Sequence, residues 1–179
     1  MIASTHEIPQ IIPPSPWVVR HAGLLPRSGE ILDLACGSGR HARWLAGQGY
    51  RVAAVDRDLT AISSLQGVPG VRAWTADLEG ETWPLAGQSY AGIVVTNYLW
   101  RPRWSDLLAL LAPGGVLIYE TFMLGNAAYG KPSRPEFLLQ PGELRQLAIA
   151  GGLHEVAFVE GFVEQPKPAM RQAICALRD

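Results

Sequence analysis

The sequence predicts an α/β fold, a doubly wound parallel sheet covered by helices on both faces, and three observations lead there. Short, nearly continuous apolar runs alternate with segments of helical character. The first of those runs, Ile31 to Leu34, opens directly into a glycine turn, Ala35-Cys36-Gly37-Ser38-Gly39. The chain closes with two further strand-like runs joined by a proline-containing corner. Strands buried on both faces read as unbroken apolar stretches, and strand-helix alternation implies parallel neighbours.

Taken in order, residues up to about Pro14 are rich in proline and read as an extended arm, residues 1–14. Ser15-Pro16 then has the pattern of a helix cap followed by proline at the first helical position, opening a short helix from Trp17 to Leu24. A strand at Ile31 to Leu34 precedes a helix at Arg40 to Ala46, a strand at Arg51 to Val55, a helix at Leu59 to Leu65 and a strand at Val71 to Thr75. Leu78 to Ser89, with Gly80, Pro84 and Gly87, leaves little room for a crossover helix, which is expected to be missing or reduced. A strand at Ala91 to Thr96, a helix at Trp104 to Leu111 and a strand at Val116 to Glu120 follow. Thr121 to Gln140 is a long connection holding Gly125, Gly130, Pro132 and Pro135, a candidate lid because connections of that length are usually functional or mobile. Pro141 to Ala150 reads as a helix closed by Gly151-Gly152, and Glu155 to Val163 with Arg171 to Leu177 as an antiparallel hairpin. Residues 15–179 therefore form one domain.

The bulk properties fit that reading and exclude others. A chain of 179 residues, 48% apolar and 17% charged, can bury a core and is neither disordered nor collagen-like. A net charge of −1 offers no strong field for a polyanion, so neither nucleic acid nor an anionic membrane is the expected partner. The start lacks a secretion signal and no run approaches the length of a membrane span, so a cytoplasmic location is expected. Cys36 and Cys175 lack metal-ligand spacing; no metal site is expected, and both read as small buried residues.

The chemistry concentrates in the glycine turn. At Gly37 and Gly39 a side chain would hold a ligand off the backbone, and N–H groups at the start of the following helix attract polar or anionic groups. About twenty residues on, after Val52 to Val55, Asp56 stands where a carboxylate can accept both hydroxyl protons of a ribose. The alternative use of an acid there, capping the next helix, is one that Asp58 fills equally well. Gly37-Ser38-Gly39-Arg40-His41-Ala42 also satisfies a dinucleotide fingerprint, so the glycines alone leave NAD(P) open. Asp33 argues against it, since a carboxylate beside the turn repels a pyrophosphate but accepts hydrogen bonds from an ammonium group.

With Asp33, the glycine turn, Asp56, Asp77 after the third strand and the terminal hairpin together, the chain resembles the class I S-adenosylmethionine-dependent methyltransferases from Pro16 to its C-terminus. Within that class it looks most like small stand-alone bacterial enzymes of the tellurite-resistance type or the general methyltransferase-domain groups. The resemblance implies a Rossmann-like seven-stranded sheet ordered 3-2-1-4-5-7-6 with strand 7 antiparallel, its ligands beyond the strands' carboxyl ends where the order reverses. Asp33 through Gly39 match the family's first motif, which holds the cofactor's amino-acid part, with Ala35 where many members carry glycine. Asp56 matches the ribose acid, and Arg57 stands beside the nucleoside. Asp77-Leu78 matches the pair that meets the adenine amino group and a ring nitrogen. Asn97-Tyr98 falls on the methionine and acceptor side, and Pro113-Gly114-Gly115 matches the turn into the fifth strand.

Acceptor-side candidates are Trp17, Tyr98 and Glu120. Trp17 either closes over the pocket or anchors its helix to the sheet; Glu120 either contacts an acceptor or caps the loop. Trp100-Arg101-Pro102-Arg103-Trp104 suggests an anionic acceptor or, more simply, tryptophans capping the core with solvated arginines. Tyr129, Lys131 and Arg134 have the same two readings, as substrate cover or as an ordinary wet loop. Arg40, a cation in the first turn of a helix, needs compensation from Asp33, from a ligand carboxylate or from solvent. His21 and His41 read as structural. Thr96-Asn97-Tyr98-Leu99 replaces the Asn-Pro-Pro-Tyr-type tetrad of amino-group methylation on bases or glutamine, which favours a small-molecule acceptor, with S-adenosylhomocysteine as product. No general base can be assigned. The competing functions are a noncatalytic S-adenosylmethionine-binding regulatory module and an NAD(P) oxidoreductase.

Overall fold

The computed structural model describes residues 12–179, so most of the expected N-terminal arm lies outside the described residues. Seven strands form one sheet: β1 (Glu30–Leu34), β2 (Arg51–Asp56), β3 (Val71–Thr75), β4 (Tyr90–Thr96), β5 (Leu111–Phe122), β6 (Leu153–Val163) and β7 (Ala169–Arg178). Their order is β3-β2-β1-β4-β5-β7-β6, as the family resemblance implied. β1 pairs in parallel with β2 and β4, placing Asp33 between Ala54 and Val94, while β7 runs antiparallel to both β5 and β6. The order reverses between β1 and β4, and the carboxyl ends of these two strands bound the crevice in which such sheets bind ligands.

Among the described residues five α-helices accompany the sheet: α1 (Pro16–His21), α2 (Arg40–Gly47), α3 (Leu59–Ser63), α4 (Trp104–Ala109) and α5 (Glu143–Ala150). The pleat divides the core. Leu32, Leu34, Val55, Ile93, Val95, Leu117 and Tyr119 pack on one face, and Ile31, Val52, Ala54, Val94, Val116 and Ile118 on the other. Both cysteines are buried and unpaired. The expected cap of α1 is formed, with the Trp17 N–H donating to Ser15 Oγ at 3.1 Å, and Asp58 caps α3 through the N–H groups of Thr60 and Ala61.

Three segments break the plain strand-helix alternation. As expected, no helix joins β3 to β4. Residues 80–81 of this connection are held instead by the Arg103 guanidinium, which donates to the Gly80 and Glu81 carbonyls. β5 begins at Leu111, opposite Tyr90, earlier than the expected Val116. The Pro113-Gly114-Gly115 turn is a bulge inside the strand: four residues, 112–115, face the single residue Ala91 before Val116 pairs with Gly92, and Gly114 takes φ +70.

The 121–140 connection is fastened at both ends. The Leu139 N–H donates to the Phe122 carbonyl at 3.0 Å and the Leu124 N–H to Leu139 at 2.9 Å. Buried Asn126 bridges the Met170 N–H and the Pro132 carbonyl. Arg101 donates to the carbonyls of Glu136 and Leu138. Exposure within the connection is concentrated at 127–131 and 133–137.

Candidate functional site

The turn after β1 is bent by left-handed backbone at three residues, Ala35 (φ +53), Gly37 (φ +53) and Gly39 (φ +75). Its two glycines differ in what they accommodate. A Cβ at Gly39 would lie 2.5 Å from Leu65 Cδ2, so that position is closed by the protein's own packing, whereas a Cβ at Gly37 would meet nothing within 4 Å. Only Gly37 therefore leaves its backbone open toward the rim, which narrows the expectation that both glycines make way for a ligand.

Two carboxylates brace the turn. Asp56, at the end of β2, accepts the Gly37 N–H on Oδ2 at 2.8 Å and the Asp58 N–H on Oδ1 at 2.9 Å. Asp33 is 1% exposed and accepts the Ala42 N–H at 2.9 Å, satisfying one of the donors that the start of α2 leaves free. Burial pushes the Asp33 carboxyl up to about 7, against the opposing pull of that N–H and of the Arg40 charge. The Arg40 guanidinium makes no ion pair with Asp33 and donates instead to the Pro13 carbonyl at 3.4 Å. The Cys36 thiol, buried between Asp33 and Asp56, is pushed far up and stays protonated.

Beside this turn lies a cleft of about 110 Å³. Of the residues singled out from sequence, Ala35, Asp56, Arg57, Asp77, Leu78 and Tyr98 line it, joined by Ala76 and Glu79, which sequence reasoning missed. Glu79 was legible only through Asp77: the Asp77 carboxylate accepts the Glu79 N–H at 2.9 Å, a tight turn that brings the second acid to the cleft. Arg57 faces Glu79 at 3.7 Å, an exposed pair contributing little energy. Asp33, Gly37, Gly39 and Asn97 are not among the residues lining the cleft.

Residues 31–115, from the start of β1 through the β5 bulge, match the family model described as a methyltransferase domain. Over those residues, just under half of its length, the chain is similar to a methyltransferase domain. The family's cofactor is S-adenosylmethionine. TehB from Haemophilus influenzae superposes with a TM-score of 0.74 at 18% identity over 91% of this chain, which spans only 61% of that protein's length. An S-adenosylmethionine-dependent methyltransferase from Methanosarcina mazei superposes at 0.72 and 17% identity, covering 93% of this chain and 99% of the other. The glycopeptide N-methyltransferase MtfA, solved with S-adenosylhomocysteine, superposes at 0.64 and 16% identity over 91% of this chain and 88% of its own. No curated protein matches the chain.

On the β4-β5-β7 side of the rim, Asn97 also takes a left-handed backbone (φ +57) and donates its N–H to the Glu120 carbonyl at 3.0 Å. Its Oδ1 accepts from Arg171 at 2.7 Å, and that guanidinium lies 4.2 Å from the Phe122 ring centroid. Burial lowers the Arg171 pKa, the Glu120 carboxylate opposes the shift, and Arg40 adds to it. The Glu120 residue is only 8% exposed. Arg171 escaped sequence reasoning because nothing local marks it; an antiparallel β7 brings its first residues to the rim where the parallel strands end.

The remaining candidates resolve as architecture. Trp17 donates its indole N–H to the Ile174 carbonyl at 3.2 Å and sits 4.1 Å from the His21 ring, so it anchors α1 to the sheet and does not line the cleft. His21 Nδ1 donates to the Trp17 carbonyl at 3.0 Å. His41 accepts the Ser15 N–H on Nε2 at 3.1 Å and turns a protonated Nδ1 toward Thr96 Oγ1 at 3.5 Å, and burial pushes it down to about 3, keeping it neutral. Arg101 pairs with Glu143, and Arg103 with Asp106 at 3.0 Å. The basic-aromatic run is therefore structural, with Trp104 in the core, but its arginines are not simply solvated: each is tied to an acid and to backbone carbonyls. Arg134 pairs with Glu136, and Tyr129 packs on Phe162 at 5.1 Å. Among the described residues no cluster of metal-ligating side chains occurs, and no helix is long and apolar enough to cross a membrane.

Proposed function

We propose that this chain transfers the methyl group of S-adenosylmethionine to a small-molecule acceptor, with the adenosine in the cleft and the methionine end running past Gly37 toward Asn97. The observation that carries this reading is the convergence of Asp56, Asp77 and the open Gly37 backbone at one rim, beside the reversal of strand order. The residues fit the cofactor. Asp56 retains acceptor capacity for ribose hydroxyls while bracing the turn. Asp77 suits the adenine amino group, and the Leu78 N–H a ring nitrogen. Arg57 borders the nucleoside.

Asp33, with its carboxyl held near neutrality, is drawn to the ionised form by a cationic ammonium nearby. The same carboxylate disfavours a pyrophosphate, which weighs against NAD(P). Bound S-adenosylmethionine supplies an electrophilic methyl group and a neutral thioether leaving group. What the protein adds is orientation. Asn97, Glu120 and Arg171 border the acceptor side. The small-molecule assignment rests on Thr96-Asn97-Tyr98-Leu99 standing where a base or glutamine methylating enzyme carries its proline tetrad.

Calorimetry and thermal shift with S-adenosylmethionine, S-adenosylhomocysteine and NADPH, followed by methyl transfer to thiols, chalcogen oxyanions, phenols and amines, test the assignment. Stabilisation by both sulfur nucleosides and transfer to at least one acceptor class are expected. Stabilisation by NADPH alone overturns it. Sulfur-nucleoside binding without transfer to any class replaces it with the noncatalytic binding module.

A further inference from the structure

We propose that the Tyr98 phenol donates a hydrogen bond to a ring nitrogen of the cofactor's adenine, so that this side chain reads the purine from inside the cleft. The inference rests on the adenosine placement above and adds a contact that the sequence did not suggest, having put Tyr98 on the acceptor side.

Three observations carry it. The backbone of Tyr98 is fixed: it follows the left-handed turn at Asn97, and its carbonyl accepts the hydroxyl of buried Tyr119 at 2.6 Å. The side chain lines the cleft together with Ala35, Asp77 and Glu79. Its hydroxyl is buried yet has no hydrogen-bond partner among the described residues. A buried hydroxyl without a partner is costly, and one inside a ligand cleft is satisfied when the ligand offers an acceptor.

The direction of the bond follows from electrostatics. Burial, with the carboxylates of Glu79, Asp77 and Asp56, holds the phenol well above its ordinary range, so it keeps its proton and acts as a donor. With the amino edge of adenine assigned to Asp77 and Leu78, the acceptors left are the ring nitrogens N3 and N7.

Titration of wild type, Tyr98→Phe and Tyr98→Leu with S-adenosylhomocysteine and with its 3-deaza and 7-deaza analogues tests the contact. Loss of a neutral hydrogen bond weakens S-adenosylhomocysteine binding to Tyr98→Phe about five- to tenfold. One deaza analogue, lacking the accepting nitrogen, should bind wild type and Tyr98→Phe equally. Without ligand, Tyr98→Phe should melt about 2 °C higher, because an unpaired buried hydroxyl has gone. Tyr98→Leu, which also removes the wall of the cleft, should bind more weakly than Tyr98→Phe. Equal affinity of wild type and Tyr98→Phe for S-adenosylhomocysteine overturns the proposal, as does a ratio that persists with both analogues. Failure of wild type itself to bind S-adenosylhomocysteine overturns the adenosine placement and this contact with it.

Discussion

Replacing Asp56 with alanine strips two acceptors from the rim at once: the Gly37 N–H at 2.8 Å and the Asp58 N–H at 2.9 Å both lose the carboxylate. Hydrogen bonds to a charged group contribute about 1.5–3 kcal/mol where water is excluded. Here Asp56 is half-buried and water can reach the freed donors, so the loss of stability should be about 1–2 kcal/mol for the pair. Ligand affinity suffers separately, because two ribose hydroxyls lose a charged acceptor; that amounts to about 1.5–3 kcal/mol, or about ten- to a hundredfold. Calorimetry with S-adenosylhomocysteine at a temperature where the variant is fully folded isolates the second effect. Asp56→Asn sharpens the comparison, since its amide keeps one accepting oxygen and turns its NH₂ against one of the two backbone donors. Its affinity should fall between wild type and alanine. A folded Asp56→Ala protein with wild-type affinity would remove Asp56 from the binding site and refute the geometry built on it.

Other expectations follow from the same rim. Gly37→Ala should cost about 1–2 kcal/mol of stability through its left-handed backbone and weaken S-adenosylhomocysteine binding beyond that loss, whereas Gly39→Ala should be destabilised further by the clash with Leu65; melting curves with and without ligand separate the two. Ala35→Gly relieves a φ of +53 at a small cost in unfolded-chain entropy, so denaturant unfolding should find the variant between unchanged and about 1 kcal/mol more stable; a loss of more than that contradicts the strain assigned to Ala35. His41, pushed down to about 3, contributes stability that is present above 6.5 and lost as the pH falls toward 3. Asp33, pushed up to about 7, contributes stability that is present below 3.8 and lost as the pH rises through 7. Between these limits the two slopes oppose each other, each at most about 1.4 kcal/mol per pH unit. Urea unfolding from pH 4 to 6.5 should therefore show Asp33→Asn losing stability toward acid and His41→Asn losing it toward neutrality; parallel profiles for the two variants would contradict both assignments.

The central strands β1, β2 and β4 were legible because they are apolar on both faces, and the strand-to-turn passage at Leu34-Ala35 announces itself through glycine. Asp56 and Asp77 were legible because each stands just where a strand stops. What escaped depends on register. Leu111 joins β5 only because it lies opposite Tyr90, and the four-residue bulge that follows hid that pairing. Arg171 reaches Asn97 across 74 residues of sequence, a contact set by where an antiparallel strand begins. The two turn glycines look alike in sequence, yet Leu65, 26 positions away, closes one and leaves the other open. Trp17 had two readings, cover for the pocket or anchor of its helix, that only side-chain packing decides.

The His41 ring spans two parts of the molecule, with its bare nitrogen on the backbone just before α1 and its protonated nitrogen turned to the end of β4. It is thereby a built-in spectroscopic reporter. In a protein carrying isotope-labelled imidazole, one nitrogen resonance should stay pyridine-like and the other pyrrole-like across the range in which a free histidine titrates. A molecule docking beside Thr96 should move the second resonance while the first keeps watch on the polypeptide leading into the domain.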